Sequence, residues 1–222
     1  MSWQTYRFLA WNMTVSKEFT PPTPKGRERL DSFLTVSTDL FLELGYDSVT
    51  LDDVIAKSGG SRATLYRAFG GKQQLFEAVV QDFCAKFSAE LCQISYANLD
   101  FSTGFYKLAR GYVTLALSER QVSFYRIVMG TAGRFPSVGA LWYHQGVNAV
   151  SQVFYDFLRS HISVTDASDE AVKMLADNVQ GSLVFCLLNQ AAVLQKPSDT
   201  EVSATIDAVA ALASRAFAEL TE

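Results

Sequence analysis

Four cations, Lys57, Arg62, Arg67 and Lys72, fall within sixteen residues that hold no carboxylate, in a chain whose net charge is −4. The hydroxyls of Ser61, Thr64 and Tyr66 lie between them. These residue types do one kind of chemistry well. Lysine and arginine neutralise phosphates, and hydroxyls and helix N-terminal amides hydrogen-bond them. An arginine on the first turn of a groove-entering helix can take a guanine through two parallel bonds, worth about 1–3 kcal/mol of discrimination. Arg62 and Arg67 are five residues apart, so on a helix they occupy different flanks, one toward base edges and the other toward a phosphate. The same window also fits an ordinary helical hairpin with a solvated basic face, and charge alone does not separate the two.

The elements that must position these groups are legible from spacing. Apolar residues at Leu30, Phe33, Leu34, Leu40, Phe41 and Leu44 repeat at helical intervals, interrupted by Ser37, and Gly45 fits a helix end. Thr50 can cap a second helix with Asp53 three residues on, and Gly59-Gly60 stops it after two turns. Ser61 can cap a third, "RATLYRAF", which ends at Gly70-Gly71; Lys72 then opens a long helix carrying Leu75, Phe76, Val79, Val80, Phe83, Phe87 and Leu91. A short helix, a glycine turn and a second short helix have the layout of a helix-turn-helix. Further helices are predicted over roughly 101–118, 119–129, 137–161, 169–195 and 200–220, and no segment alternates as a strand does. The fold class is therefore all-α. Residues 1–24, ending in "TPPTPKG", read as a non-helical lead-in, with Met13 as an alternative start.

Composition narrows the function classes. A chain of 222 residues with 49% hydrophobic content supports a substantial core. Apolar runs such as "LVFCLL" are far short of the roughly 20 residues that span a membrane, and the N-terminus lacks a secretory pattern. A cytoplasmic protein without a membrane association is expected. Cys84, Cys92 and Cys186 have neither disulfide nor zinc-like spacing and read as buried thiols, so no metal is expected. His144 and His161 have no sequence partners for catalysis, and neither a cofactor nor an enzymatic activity is expected.

The segment "TLDDVIAKSGGSRATLYRAFGGKQQLF" resembles the N-terminal DNA-binding domain of the TetR family of transcriptional repressors. Thr50, Ile55-Ala56, Gly59, Ser61, Thr64-Leu65-Tyr66, Phe69, Lys72 and Leu75 carry the likeness, which spans about residues 26–82. It implies backbone contacts to DNA from Thr50, Tyr66 and Lys72, and recognition-helix contacts from Ser61, Arg62, Ala63, Thr64 and Arg67. Leu65 and Phe69 are then core. A basic N-terminal arm, here Lys25, Arg27 and Arg29, would approach the flanking minor groove. Two positions depart from the family. Gly60 replaces an apolar residue, which predicts a looser turn, and Ala68 replaces an aromatic or histidine that would lie near the DNA backbone.

The likeness is fainter beyond residue 100. "FYRIVMGTAGRFPSVGALWYHQGV" is similar to a segment of one TetR subgroup, in which Arg-Phe-Pro precedes a helix, and Pro136 suits a first helical position. The resemblance implies three regions: an extension over 1–24, a three-helix helix-turn-helix domain over 25–72, and a larger helical effector-binding and dimerisation domain over 73–222, reached through a long helix. The last two helices would pair with those of a second copy. Leu175, Val179, Leu183, Leu187 and Val193 in one, and Ala210, Ala213 and Phe217 in the other, are the apolar and small residues available. Aromatic supply points to Phe105, Tyr125, Trp142 and Phe185 as effector contacts, with His144 and Asn189 as polar anchors. The function implied is a homodimeric repressor that binds a palindromic double-stranded operator and is released by a small-molecule effector. A helical enzyme or carrier, and an architectural DNA-binding protein without an effector, are the alternatives.

Overall fold

The structure is a computed structural model and describes residues 23–163 and 167–221; most of the expected lead-in lies outside them. Thr23 caps the first helix by accepting from Gly26 N, and Pro24 stands at its start, where a missing N–H costs nothing. The proline expected to disfavour a helix opens one instead. Helix α1 (Pro24–Ser48) is interrupted at Gly45, whose φ of 78° and ψ of 165° are not helical. It is followed by α2 (Leu51–Ser58), α3 (Arg62–Phe69), α4 (Lys72–Leu91), α5 (Phe101–Ala116), α6 (Glu119–Ala132) and α7 (Pro136–Leu141). A π-helical segment (Trp142–Val147) leads into α8 (Asn148–Arg159), then α9 (Asp169–Val193) and α10 (Asp199–Thr221). No strand occurs among the described residues, and the chain is all-α, as its spacing predicts. The single helix expected over 137–161 is three pieces. At Gly146 an added Cβ would lie 3.2 Å from Cys84 Sγ, so the widened turn packs closely against the Cys84 side chain.

The chain divides into two compact units. The first holds the residues up to Phe87 together with Arg126–Gly146; the second holds Ser88–Tyr125 and the residues from Val147 onward. The boundary expected at residue 72 falls inside the first unit. There Leu30, Phe33, Phe41, Val54, Leu65, Phe69, Leu75 and Phe76 are buried. Phe33 meets Phe69 edge-on at 6.4 Å, and Phe41 meets Phe76 at 5.1 Å. Ser37, which interrupts the apolar pattern, is fully buried with its hydroxyl unpaired; it belongs to the core face despite its polarity.

In the second unit α5, α8, α9 and α10 enclose Phe105, Leu108, Phe154, Phe157, Leu183 and Ile206. Buried Gln180 donates to Tyr112 Oη at 2.7 Å, which satisfies both groups away from water. His161 is tied to the carbonyls of Phe157 and Leu99, a structural post at the end of α8. Helix α9 is long and apolar enough to cross a membrane by those criteria alone, but Val172, Ala176, Val179, Leu183 and Leu187 are buried within this unit. One expectation fails here. Only Cys84 is a buried thiol, its pKa pushed up to about 12 by burial, while Cys92 and Cys186 are exposed. Of the residues offered for pairing with a second copy, Val179, Leu183, Leu187 and Ala213 are buried within this unit, Leu175, Ala210 and Phe217 are half-buried, and Val193 is exposed.

Candidate nucleic-acid interface

Local hydrogen bonds build the platform. Thr50 Oγ1 accepts from the Asp53 amide at 3.2 Å, and the Asp53 carboxylate accepts from the Thr50 amide at 2.8 Å and its hydroxyl at 2.7 Å. This reciprocal box starts α2 and holds the Asp53 carboxyl below its ordinary pKa. Helix α2 ends at Gly59, whose left-handed φ of 70° favours glycine and whose N–H returns to Ile55 O. Arg29 donates to Ser58 O at 2.8 Å, fastening α1 to that end. Ser61 Oγ then accepts from Thr64 N at 3.1 Å to start α3.

Gly60 does not loosen the turn. A Cβ there would stand 2.2 Å from Phe33 Cζ, so the buried Phe33 ring fills the space that an apolar side chain at 60 would take. Ala68 is fully buried beside Leu65 and Phe69 on the inward face of α3, so a larger residue at this position would meet the core and not DNA. The outward face carries Arg62, Ala63, Tyr66 and Arg67, all exposed, and Thr64 is half-buried at the edge.

Carboxylates modulate this basic face. Both oxygens of Asp52, on the first turn of α2, accept from Arg62, which raises the basicity of Arg62 further. Lys72 is half-buried: its ammonium donates to Asp47 O at 3.2 Å and lies 4.4 Å from the centre of the Tyr46 ring. Burial lowers its pKa, against which the nearby Asp47 charge acts. The Asp47 carboxylate is bonded at 2.7 Å by Arg134, from the turn between α6 and α7. Lys57 is exposed, and Lys25 and Arg27 are exposed on the first turn of α1, within a helix instead of an extended arm.

All eleven residues expected at DNA thus lie in the first unit, and the Arg62–Asp52 pair brings the starts of α2 and α3 together. Sequence reading missed Asp52 and Asp47. The opposite charges flanking the turn, Asp52 and Arg62, are the signal that points to the first; nothing local points to the second. The six effector candidates are divided between the units. Trp142 and His144 lie on the π-segment of the first. In the second, Phe105 is core, packed against Phe154 and Phe157. Tyr125 donates to Asn189 Oδ1 at 3.0 Å, Asn189 donates to Phe185 O at 2.6 Å, and Phe185 itself is 69% exposed. An open depression of about 590 Å³ on the second unit is lined by Ser102, Thr103, Tyr106, Lys107 and Arg110, none of them among the six.

Comparison with known proteins agrees with this geometry. Residues 33–79 match the family described as bacterial regulatory proteins, tetR family, and residues 103–219 match the AefR-like transcriptional repressor, C-terminal domain. The chain is 35% identical over 74 residues to the HTH-type transcriptional regulator AlkX of Mycobacterium tuberculosis, covering 33% of each protein. It is 34% identical over 67 residues to the HTH-type transcriptional repressor ComR of Escherichia coli, covering 30% of this chain and 31% of that one. These matches span about a third of the curated relatives' length. Among solved structures, a TetR-family transcriptional regulator from Mesorhizobium loti superposes with a TM-score of 0.77 at 21% identity, over 87% of this chain and 98% of that one. The Flavonoid-responsive Regulator FrrA superposes with a TM-score of 0.62 at 23% identity, over 85% and 96%. At such identities the likeness is one of fold.

Proposed function

The chain belongs to the TetR family of bacterial regulatory proteins, and on that footing we propose that it is a cytoplasmic, homodimeric repressor whose α3 reads a palindromic operator and whose second unit answers a small-molecule effector. The observation that carries the reading is the division of α3. Leu65, Ala68 and Phe69 face the core, while Arg62, Ala63, Tyr66 and Arg67 face outward from a turn fixed by two side-chain caps. Arg62 and Thr64 are the base-reading candidates; Thr50, Tyr66 and Lys72 take phosphates; Ser61, Ala63 and Arg67 complete the contact face, and Lys25 with Arg27 extend it.

Dimerisation is supported by the exposed faces of the last two helices, on which Val193 alone of the residues the spacing offered is fully outward. Outward on α10 stand Ala204, Ala208, Ala211 and Leu212, and outward on α9 stand Met174, Phe185 and Val193. Small side chains let helices approach closely, and exposed large ones supply apolar area, as a four-helix interface between two copies requires. An effector acts by favouring a conformation in which the two α3 helices are wrongly spaced, and can shift that equilibrium only by its difference in affinity for the two states.

The test is selection of duplexes from a random pool by the full chain, followed by binding assays on the selected sequence. An inverted repeat with half-sites about one helical turn apart is expected. Arg62→Ala should relax preference at one base pair per half-site, and Tyr66→Phe should weaken all sequences alike. Recovery of no enriched sequence, or equal binding by Arg62→Ala at every position, would overturn the proposal.

A further inference from the structure

We propose that Arg134 is a positioning residue for DNA binding: by occupying the Asp47 carboxylate, it prevents that carboxylate from capturing the Lys72 ammonium and leaves Lys72 to a DNA phosphate. The inference rests on the proposed DNA-binding function and extends it to a residue 87 positions from Asp47 in sequence, outside the helix-turn-helix. Lys72 already donates to the backbone carbonyl of Asp47 at 3.2 Å, so the carboxylate of the same residue is close by, and its charge acts on the ammonium. An ammonium is a compact, strongly hydrated charge with three donors and no preferred partner geometry, so an unoccupied carboxylate beside it competes directly with a phosphate.

Arg134 is placed to remove that competitor. Its guanidinium bonds Asp47 Oδ1 at 2.7 Å, with its carbon 4.7 Å from the Phe135 ring centre and 5.5 Å from that of Tyr46. The Phe135 ring is 4.9 Å from Tyr46, the residue whose ring also receives Lys72. A second carboxylate acting on Tyr46, that of Glu77, is likewise occupied. It accepts from Ser137 Oγ at 2.5 Å and from Gln73 at 3.0 Å. The stretch from Arg134 to Ser137 thus engages both acids around Tyr46. All these residues lie in one compact unit.

The experiment measures binding of the full chain to a mixed-sequence duplex over a range of salt, since a phosphate contact needs no particular sequence. Lys72→Gln and Arg134→Gln should each weaken binding by roughly tenfold and lower the salt slope by about 1 for each phosphate no longer neutralised. Arg134→Lys, which keeps the charge, should lose less. Asp47→Asn should bind at least as well as the parent, and Arg134→Gln/Asp47→Asn should regain the parent's affinity and slope. Arg134→Gln/Lys72→Gln should bind like Lys72→Gln alone. If Asp47→Asn is as weak as Arg134→Gln, the ion pair is merely a clamp and the proposal fails. If Arg134→Gln still weakens the Lys72→Gln protein, Arg134 touches phosphate itself and the proposal also fails. Lys72→Gln binding like the parent overturns this inference while leaving DNA binding intact; absence of any binding by the parent overturns the function with it.

Discussion

At the scale of single residues, two contacts decide how the recognition helix is presented. On the proposed function, Asp52 would be an internal competitor for Arg62, since an operator would have to displace its carboxylate before the guanidinium could reach a base. The pair is exposed, and solvent screening leaves an exposed ion pair weak. Asp52→Asn should therefore raise affinity for a selected duplex by roughly twofold to fivefold. Fluorescence anisotropy would show it, and the gain should shrink in an Arg62→Ala background; a gain of equal size there would mean that Asp52 acts by general repulsion. The second contact is Gly60 against Phe33. Gly60→Val, though it installs the side chain common in the family, should cost about 1–3 kcal/mol in urea unfolding because the ring has nowhere to go. Combining it with Phe33→Leu should cost less than the two changes added together. Additive losses would mean that the Phe33 ring is not what excludes a side chain at 60.

At the scale of elements, what was legible in the sequence depended on separation along the chain. Thr50 with Asp53 and Ser61 with Thr64 lie three residues apart, so the starts of α2 and α3 could be read directly. Arg29 with Ser58, Phe33 with Gly60 and Arg134 with Asp47 join separate segments of the chain, and no periodicity reports such contacts. The π-segment was illegible for another reason: it widens one turn without ending the helical pattern that flanks it. Amphipathicity of α10 announced a buried face but not its partner; Val202, Ile206, Val209 and Ala213 are buried within the chain's own unit. The α2 cap carries a pH signature. Asp53 is held below its ordinary value of 3.8 by hydrogen bonds from Thr50. Its contribution is therefore complete above that value and is lost as pH falls through the lower folded one. Thr50→Ala should cost about 1 kcal/mol at neutral pH. The gap from the parent should narrow on acidification below the ordinary value; a gap of constant size would show that the Asp53 half of the box contributes nothing.

At the scale of the whole molecule, the proposed function depends on two copies acting together. Leu212 is 61% exposed on α10, so Leu212→Glu should leave helicity and folding unchanged while shifting the chain to monomer in sedimentation. Affinity for a palindromic duplex should then fall toward that of one half-site, because the second half-site is no longer held by a tethered copy. A dimer that survives this change would place the interface on another face. The first compact unit also changes how the regulator can be recombined. It takes in Arg126–Gly146 along with the DNA-binding helices, so a hybrid made by joining residues up to 72 to the remainder of a relative would inherit foreign neighbours for Tyr46, Asp47 and Lys72. Transplanting its DNA specificity into another regulator is therefore a two-segment graft, with residues 126–146 travelling alongside the helix-turn-helix.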